Sequence, residues 1–286
     1  CSDEVFYGTI SKCGYMGKPL KSLLLLTIIV LGVLGVANMP LLPSVSATYV
    51  EGHISKNTTW TLTDSPYVVA KDIIVDPGVT LTIEAGVDVR FGGNFSLSVE
   101  GVLSAIGTIV KPITFTSNKH EPQKGDWNTI EFTSGQKSTI SYSVLNYATN
   151  ALTIESGNVE IQNCQISNSS QNGVYATGQN QALIRRNTIQ SNQNGILVTG
   201  NATGVDISDN EVFSNSQSGI YLHAYALAKA KRDLERANAS ARIHEVFVSE
   251  NNASHNQNGI YLHSYAVANA STYYKANATA NVSIYN

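Results

Sequence analysis

The chain has 286 residues, of which only 14% are charged, and its formal net charge at pH 7 is −3. This low and slightly acidic charge excludes a basic nucleic-acid-binding protein, so we expect no nucleic-acid partner. Asparagine, serine, threonine and glycine take the places that lysine and glutamate usually fill.

The amino-terminal residues have the order of an export signal. Residues 1–15 precede Met16, and we interpret them as an upstream extension. Two lysines then lead into an apolar run, 23–36, which is followed by prolines and small residues. This order predicts a signal peptide over 16–47, or an amino-terminal anchor if that segment is not cleaved. We therefore expect a secreted or cell-surface protein that meets a membrane only through this segment.

Cysteine is scarce in the predicted mature chain. Cys164 is the one cysteine that follows the leader, so no intramolecular disulfide can form in 48–286. An exported chain of this size must then be stable through its hydrophobic core alone.

Asparagines in acceptor tripeptides of the Asn-x-Ser/Thr type predict surface glycosylation. They cluster towards the carboxyl end. They are Asn57, Asn94, Asn168, Asn201, Asn238, Asn252, Asn269, Asn277 and Asn281.

Between residues 54 and 115, short apolar pairs alternate with turn residues. Ile73 and Val75, for example, recur 24 residues later as Leu97 and Val99. Apolar residues two apart in short runs predict β-strands of about 3 to 5 residues, with side chains pointing alternately inward and outward. Trp60 is expected to help cover the amino-terminal end of the stack.

The main signal downstream is a repeated Asn/Ser-Gly-apolar motif at the start of a strand. Its glycines, Gly173, Gly195, Gly219 and Gly259, lie 22, 24 and 40 residues apart. A period of this size predicts a solenoid. Within each repeat the apolar residues recur at every second position, which predicts strands rather than leucine-rich or helical repeats. One winding per repeat returns each strand about 4.8 Å above its predecessor.

Equivalent residues of successive windings are therefore expected to stack into ladders. An inward asparagine ladder at a bend can satisfy its amides from rung to rung. Its members are Asn187, Asn210 and Asn251, at a position that Ser143 and Cys164 fill in the preceding windings. The inward apolar members are Val174, Ile196, Ile220 and Ile260, with Ala176, Val198, Leu222 and Leu262 beside them.

From about residue 49 to its end, the chain resembles the right-handed parallel β-helix proteins of the pectin-lyase-like fold. It resembles in particular secreted archaeal and bacterial surface proteins with β-helix repeats. The most specific stretches are 76–83, Asp-Pro-Gly-Val-Thr-Leu-Thr-Ile, and 125–132, which is similar to the Gly-Asp-Trp opening of such coils. The resemblance implies a right-handed parallel β-helix and marks no chemistry. The polar loop at the start of the second stretch contains His120, Glu121 and Asp126, which are expected to be solvated.

The 40-residue repeat carries an insertion that allows two structures. Alanine on every second residue in 224–230 and 237–241 predicts extended arms that face each other closely. Residues 228–236 have strong helix propensity, which would instead give an inserted helix. We favour the arms and predict an all-β solenoid, 48–286, with Ala-rich wing insertions near its carboxyl end. Because no cap follows the last strand pattern, we expect the solenoid to be truncated there.

Relatives of this fold that cleave or epimerise acidic polysaccharides place aspartates, an arginine or a histidine on one outer face, often with calcium. The nearest match is a turn ladder with Arg186, Asp209 and Glu250 on successive windings. Carboxylates beside an arginine can bind calcium or stabilise an enolate, so these three are the catalytic candidates. A solvated ion-pair ladder along a turn fits the same residues and is the interpretation we prefer.

Outward aromatic residues form a second candidate site. Tyr175, Tyr221 and Tyr261 share one stripe, and His223 and His263 follow on adjacent windings. Stacked tyrosines offer flat faces to sugar rings, and paired histidines can hold a transition metal. An aromatic ladder that merely stabilises the sheet explains the same pattern. The structural ladder is the interpretation we prefer, and these five residues are the candidates for carbohydrate binding, with no metal and no cofactor unless the protein is a calcium-dependent enzyme.

Three functions fit these patterns. The first is an exported structural or adhesion protein of the cell surface, and the second is a carbohydrate-binding solenoid. The third is a polysaccharide lyase, hydrolase or epimerase that acts on the outer face. The export signal, the low charge and the asparagine ladder favour a surface protein that has a polysaccharide or glycan as its partner. The enzyme is the alternative.

Overall fold

The computed structural model describes residues 46–178, 180–200, 202–229, 236–269 and 275–285. The predicted upstream extension and nearly all of the predicted leader lie outside these residues. The described part consists of strands that pair in parallel and one short 3-10 helix, Leu62–Asp64. None of its residues belongs to a helix with the length and hydropathy of a membrane span.

Twenty-five strands follow one another along the described residues. They are β1 Thr48–Ile54, β2 Thr58–Trp60, β3 Tyr67–Val75, β4 Thr80–Ile83, β5 Asp88–Phe91, β6 Leu97–Val99, β7 Val102–Ile106, β8 Ile113–Ser117, β9 Ile130–Phe132, β10 Lys137–Ser141, β11 Ser143–Asn146, β12 Leu152–Ile154, β13 Asn158–Gln162, β14 Gln165–Ser167, β15 Asn172–Ala176, β16 Leu183–Arg185, β17 Thr188–Gln190, β18 Asn194–Thr199, β19 Asp206–Ser208, β20 Glu211–Phe213, β21 Ser218–Lys229, β22 Arg236–Ser249, β23 Asn252–Ser254, β24 Asn258–Asn269 and β25 Lys275–Tyr285.

Each turn of the solenoid contributes three strands, so the strands stack into three faces. Face 1 contains β5, β8, β11, β14, β17, β20 and β23. Face 2 contains β6, β9, β12, β15, β18, β21 and β24, and face 3 contains β2, β4, β7, β10, β13, β16, β19, β22 and β25. The long strand β3 bends between faces 1 and 2, because its residues 67–69 pair with β5 and its residues 73–75 pair with β6. The predicted all-β, right-handed parallel β-helix is confirmed.

The core runs along the solenoid as ladders of apolar side chains. Leu152, Val174, Ile196 and Ile220 pair rung by rung on face 2 and are fully buried. Burying one such side chain is worth about 1.5–3 kcal/mol, so the ladders supply most of the stability. The predicted last rung differs. Ile260 and Leu262 are 45% and 47% exposed, because no described strand lies beyond β24 on face 2.

Aromatic side chains fill the amino-terminal turns. Trp60 lies in β2, the first strand of face 3, where it is buried and stacks on Tyr67 at 4.9 Å between ring centroids. Trp127 is fully buried and stacks on Phe91 at 4.2 Å. Its Nε1–H donates to Asn146 O at 2.8 Å, so the buried indole leaves no polar atom unpaired.

The expectation that Asp126 is solvated is wrong. The Asp126 side chain is only 5% exposed. Its carboxylate accepts hydrogen bonds from Lys119 Nζ at 2.6 Å and from Ser117 Oγ and the Gln123 N–H, both at 2.8 Å. It therefore folds the loop back over the core beside Trp127. His120 and Glu121 are exposed, as expected.

The predicted inward asparagine ladder is confirmed, and two further ladders accompany it. Asn187, Asn210 and Asn251 link the turns between faces 3 and 1. A second ladder, Asn192, Asn215 and Asn256, links the turns between faces 1 and 2. A third consists of Asn150, Asn172 and Asn194 at the start of face 2. The sequence analysis had assigned none of the last six residues to a ladder.

The arms of the insertion are extended wherever the structure describes them. β21 and β24 have 12 residues each and pair in register from Ser218 and Asn258 to Lys229 and Asn269. β22 and β25 pair likewise, with one register shift between Ile243 and Val246. The middle of the helix-prone segment, 230–235, lies outside the described residues. A separate flat wing built from these arms stays a prediction.

Candidate functional site

The outward side chains of face 2 form one ladder along the solenoid. Because side chains alternate in a strand, the residues between the core positions point away from the core. In register from turn to turn they are Ser98, Glu131, Thr153, Tyr175, Leu197, Tyr221 and Tyr261. Thr153 is the buried member, and its Oγ1 lies 2.9 Å from Thr129 Oγ1. A ladder on rigid paired strands holds its side chains at fixed spacing, which suits a binding surface.

Four of the five predicted binding residues lie together at one end of this ladder. Tyr221 and Tyr261 have ring centroids 5.0 Å apart, and the rings of His223 and His263 stack almost parallel at 4.9 Å. Within β21, Tyr221 and His223 stack at 5.4 Å. We call these four residues the aromatic patch.

The fifth residue, Tyr175, stands apart. It lies two turns from Tyr221, with the half-buried Leu197 between them in the register of face 2. Tyr175 is therefore in line with the aromatic patch without touching it. A ligand would have to run along the solenoid axis to contact both.

Tyr225 extends the aromatic patch and was not singled out from the sequence. It is 45% exposed, and its ring centroid is 6.4 Å from that of His223. The signal was present, because Tyr225 continues the outward alternation of Tyr221 and His223 and pairs with Tyr265 in the register of β21 and β24. The prediction for that segment rested only on its alanines.

Two members of the aromatic patch, Tyr221 and His223, are uncharged at neutral pH. Burial and, to a smaller degree, the nearby His263 lower the pKa of His223, so this imidazole is neutral at pH 7. Burial and then Tyr261 raise the pKa of Tyr221, which keeps its hydroxyl protonated. The Tyr221 hydroxyl lies 3.4 Å from Nδ1 of His263. Tyr221 and His223 therefore present flat rings with neutral polar edges.

A carboxyl pair lies further along the same face. Burial, and then the charge of Glu155, raise the pKa of Glu131. Ser98 Oγ donates to Glu131 Oε2 at 3.4 Å. Neither glutamate was predicted from the sequence. With its raised pKa, Glu131 takes up a proton more readily than an exposed glutamate does.

The three catalytic candidates lie on a tight turn between faces 3 and 1. Arg186, Asp209 and Glu250 are exposed and have positive φ values of 54° to 56°, as does Asn163 one turn earlier. The Arg186 guanidinium donates to Gln162 Oε1 at 3.4 Å. Within the described part of the chain it makes no ion pair with Asp209 or Glu250. These three residues therefore occupy the same turn position in successive windings. Their catalytic role stays a prediction.

No metal centre forms among the residues that the structure describes, since no three His, Cys, Asp or Glu side chains converge in them. His223 and His263 supply two imidazoles, whereas protein sites for transition metals ordinarily provide at least three ligands. Cys164 is buried, and burial raises the pKa of its thiol to about 12, which makes it a poor metal ligand and nucleophile.

The predicted glycosylation sites differ in their surroundings. Asn57, Asn94 and Asn252 are exposed, and Asn168 is half-buried. Asn57 already accepts the Thr80 N–H at 2.9 Å through Oδ1. Asn201 lies outside the described residues, as do the side chains of Asn238, Asn269, Asn277 and Asn281. Glycosylation stays a prediction at all nine positions.

Two family models match this chain. Residues 128–286 match the model described as the right handed beta helix region, and residues 52–141 match the pectate-lyase like beta helix domain. No solved structure matches the chain. Among curated proteins, Protein bark beetle of Drosophila melanogaster is 42% identical over 65 residues. That match covers 23% of this chain and 2% of the fly protein, so the chain spans a very small part of that relative.

Proposed function

The chain belongs to the right-handed β-helix family, and we propose that it is an exported cell-surface adhesion protein which binds polysaccharide along face 2. The observation that carries this proposal is the aromatic patch. Four rings from two adjacent turns lie on one outward surface, with the centroids of neighbouring rings 4.9–6.1 Å apart. The neutral state of Tyr221 and His223 at pH 7 suits a ligand with apolar C–H faces and many hydroxyls.

Sugar recognition follows from the chemistry of these side chains. The C–H face of a pyranose packs on an aromatic ring, while tyrosine hydroxyls and imidazole nitrogens exchange hydrogen bonds with the sugar hydroxyls. Two adjacent turns each supply one tyrosine ring and one histidine ring, and this repetition favours a polymer over a monosaccharide. A polymer that runs along the axis also passes Leu197 and Tyr175.

Adhesion is favoured over catalysis by the surroundings of the catalytic candidates. Arg186 is hydrogen-bonded to Gln162, and Asp209 and Glu250 are exposed on a turn away from face 2. General acid–base chemistry needs groups that converge on one reacting atom. The amino-terminal signal pattern supports export. Buried asparagines that hydrogen-bond successive turns make the solenoid rigid, which suits a surface protein.

Binding to soluble polysaccharides tests the proposal. Calorimetry and affinity electrophoresis with cellohexaose, chitohexaose, xylan and polygalacturonate should reveal at least one ligand. Tyr221→Ala and Tyr261→Ala should each weaken its binding about threefold to tenfold, because each removes one stacking face. Tyr49→Ala is the matched control, since Tyr49 is 71% exposed on β1 and lies outside the aromatic patch. Equal affinity of all three variants would refute binding at the patch.

The enzyme alternative has its own readout. Polygalacturonate and alginate are incubated with the protein and calcium, and the absorbance of unsaturated products is followed. Product formation that is lost in Arg186→Ala would replace adhesion with lyase activity. Export is tested separately by sequencing the amino terminus of the protein recovered from the medium or cell envelope, which should begin near Thr48.

A further inference from the structure

A polar groove lies along the corner at which the chain passes from face 2 to face 3. It has a volume of about 400 Å³, and its lining includes Ser156, Asn158, Asn180, Gln181 and Thr203. This volume is within the range of about 300–1,000 Å³ that small-molecule sites occupy. We propose that the groove binds a neutral oligosaccharide and is a site separate from the aromatic patch.

Glycine keeps this corner free of bulky side chains. Gly157 and Gly204 have positive φ values of 122° and 72°, a backbone region that favours glycine. A Cβ added to Gly157 would collide with Ser134 O of the preceding winding, and one added to Gly204 would lie 2.7 Å from Asn180 O. Successive windings therefore pack backbone on backbone at this corner, and a concave surface remains beside them.

The groove belongs to the middle of the solenoid. Its residues precede or begin β10, β13, β16 and β19, which are neighbours on face 3 and are each paired on both sides. A second concavity of about 370 Å³ shares Asn158 and Gln181 with it and continues over Leu183 and Asp206. At about 4.8 Å per winding, the four strands extend about 14 Å along the axis, which suits an oligosaccharide rather than a single sugar.

The fold does not use most of the polar side chains in this groove. Within the part of the chain that the structure describes, the side chains of Ser156, Asn158, Gln181 and Thr203 form no hydrogen bond. At the other two corners, by contrast, the asparagine side chains are hydrogen-bonded from winding to winding. The groove therefore offers donors and acceptors that are available to a ligand.

Asn180 supplies an independent indication of a ligand. The residue is 4% exposed and lines the groove, and its Nδ2 donates to Thr177 O at 2.9 Å. Its Oδ1 is buried and accepts no hydrogen bond. A buried oxygen without a donor is unfavourable. A sugar hydroxyl in the groove can supply the missing donor.

The chemistry of the lining selects a neutral ligand. Amide and hydroxyl groups both donate and accept hydrogen bonds, as the neighbouring hydroxyls of a sugar do. None of the described lining residues is lysine or arginine, so nothing there balances a phosphate or a uronate. Lys137 and Arg185, on the same face, are both paired with Glu160. Asp206 at the far end further disfavours an anion.

A sugar site at this corner has a consequence for adhesion. If the aromatic patch also binds polysaccharide, as proposed above, one molecule can hold two chains on different sides of the solenoid and so cross-link them. Only this cross-linking rests on the proposed function, because the groove shares no residue with the aromatic patch.

Calorimetric titration of the whole chain with cellohexaose, chitohexaose and maltohexaose tests the proposal. The background is a variant with both Tyr221→Ala and Tyr261→Ala, in which at least one of the three hexasaccharides should still bind. Adding Asn158→Ala and Gln181→Ala should weaken this remaining binding about tenfold or more, because two amide contacts are lost. Gln165→Ala is the matched control, since this exposed glutamine lies on face 1, and it should leave the affinity unchanged.

Gly135→Leu tests the same groove by adding bulk instead of removing polar groups. Gly135 lines the groove, and a Cβ there meets no atom within 4 Å, so the fold should tolerate the change while the hexasaccharide binds more weakly. Circular dichroism and thermal unfolding verify that each variant is folded.

The outcomes separate the groove from the aromatic patch. Loss of all binding when only Tyr221 and Tyr261 are replaced overturns this proposal and leaves binding at the patch intact. Equal affinity of the Asn158→Ala, Gln181→Ala variant and the Gln165→Ala control also overturns it, as does hexagalacturonate that binds the groove as tightly as the neutral sugars. Binding that is lost only in the groove variants supports the groove and refutes the patch.

Discussion

Asn210 holds Asn187 across successive turns of the solenoid. Its Oδ1 accepts both the backbone N–H and the Nδ2–H of Asn187, each at 3.0 Å. Asn251 does the same for Asn210, at 3.0 Å to the backbone nitrogen and 2.9 Å to Nδ2. Each amide also reaches a strand carbonyl, as Asn187 Nδ2 does with Ile161 O at 3.0 Å. The tight bend is thus hydrogen-bonded entirely within the protein.

Asn210→Ala should lower the free energy of unfolding by about 2–4 kcal/mol, because the backbone N–H and one Nδ2 hydrogen of the buried Asn187 lose their acceptor. Urea denaturation followed by circular dichroism measures this. Asn94→Ala is the control, since Asn94 is exposed, and its effect should stay below about 0.5 kcal/mol. If the two variants unfold at the same urea concentration, the ladder contributes nothing specific to stability.

Cys164→Asn should stabilise the protein by about 1 kcal/mol, because it adds a rung to the same ladder. Cys164 N–H already donates to Asn187 Oδ1 at 2.9 Å, and its Sγ lies 3.6 Å from Ile140 O. An amide nitrogen at that place can donate to both oxygens. Thermal unfolding of the variant checks this, with Cys164→Ser as the comparison that removes the sulfur without adding an amide. A lower melting temperature for Cys164→Asn than for Cys164→Ser would show that the site cannot hold the amide.

The first asparagine ladder could be predicted because its members recur at the repeat period between apolar neighbours. The second could have been predicted by the same means. Asn192, Asn215 and Asn256 each follow a member of the first ladder by five residues. The three-residue strands of face 1 separate two similar bends, so both bends need the same buried amide. The prediction from the sequence covered only the bend between faces 3 and 1.

Other features depend on packing that a repeat pattern does not encode. Asp126 is polar and lies in a loop, and only the fold shows that the loop closes over Trp127 and buries the carboxylate. Likewise, period alone places Arg186, Asp209 and Glu250 in one stack. The directions of their side chains, which decide whether they converge, follow from the left-handed backbone of the turn.

Asp126→Asn should destabilise the protein by about 2 kcal/mol at pH 7, because a buried carboxylate loses its ion pair and charge-assisted hydrogen bonds. Burial by itself raises the pKa of Asp126, but hydrogen bonds from Lys119, the Gln123 N–H and Ser117 outweigh it, so the pKa is lower than usual. A lowered folded-state pKa gives stability that is present above the unfolded-state value of about 3.9 and is lost as pH falls through the folded-state value.

The difference in stability between the wild type and Asp126→Asn should therefore shrink below about pH 4. Urea denaturation at pH 7 and at pH 3 measures it. Glu121→Gln is the matched control from the same loop, because Glu121 is exposed. A difference that stays constant between the two pH values would mean that the carboxylate charge of Asp126 does not stabilise the fold.

Acid should loosen the aromatic patch through His223. Because burial and then His263 lower the pKa of His223 in the folded state, the unfolded state binds more protons between that pKa and the unfolded-state value of about 6.5. The stability that depends on neutral His223 is thus complete above about pH 6.5 and is lost as pH falls through the folded-state pKa. Three rings face this imidazole, those of Tyr221, Tyr225 and His263, and the His263 ring stacks on it at 4.9 Å between centroids.

Between pH 7.5 and pH 5, the melting temperature of the wild type should therefore fall about 2 °C more than that of His223→Gln. Differential scanning calorimetry measures both. His120→Gln removes an exposed histidine of the loop before Asp126 and should keep the wild-type acid sensitivity. The prediction is contradicted if His120→Gln, and not His223→Gln, removes the acid sensitivity. Protonation of a histidine outside face 2 would then cause the loss of stability in acid.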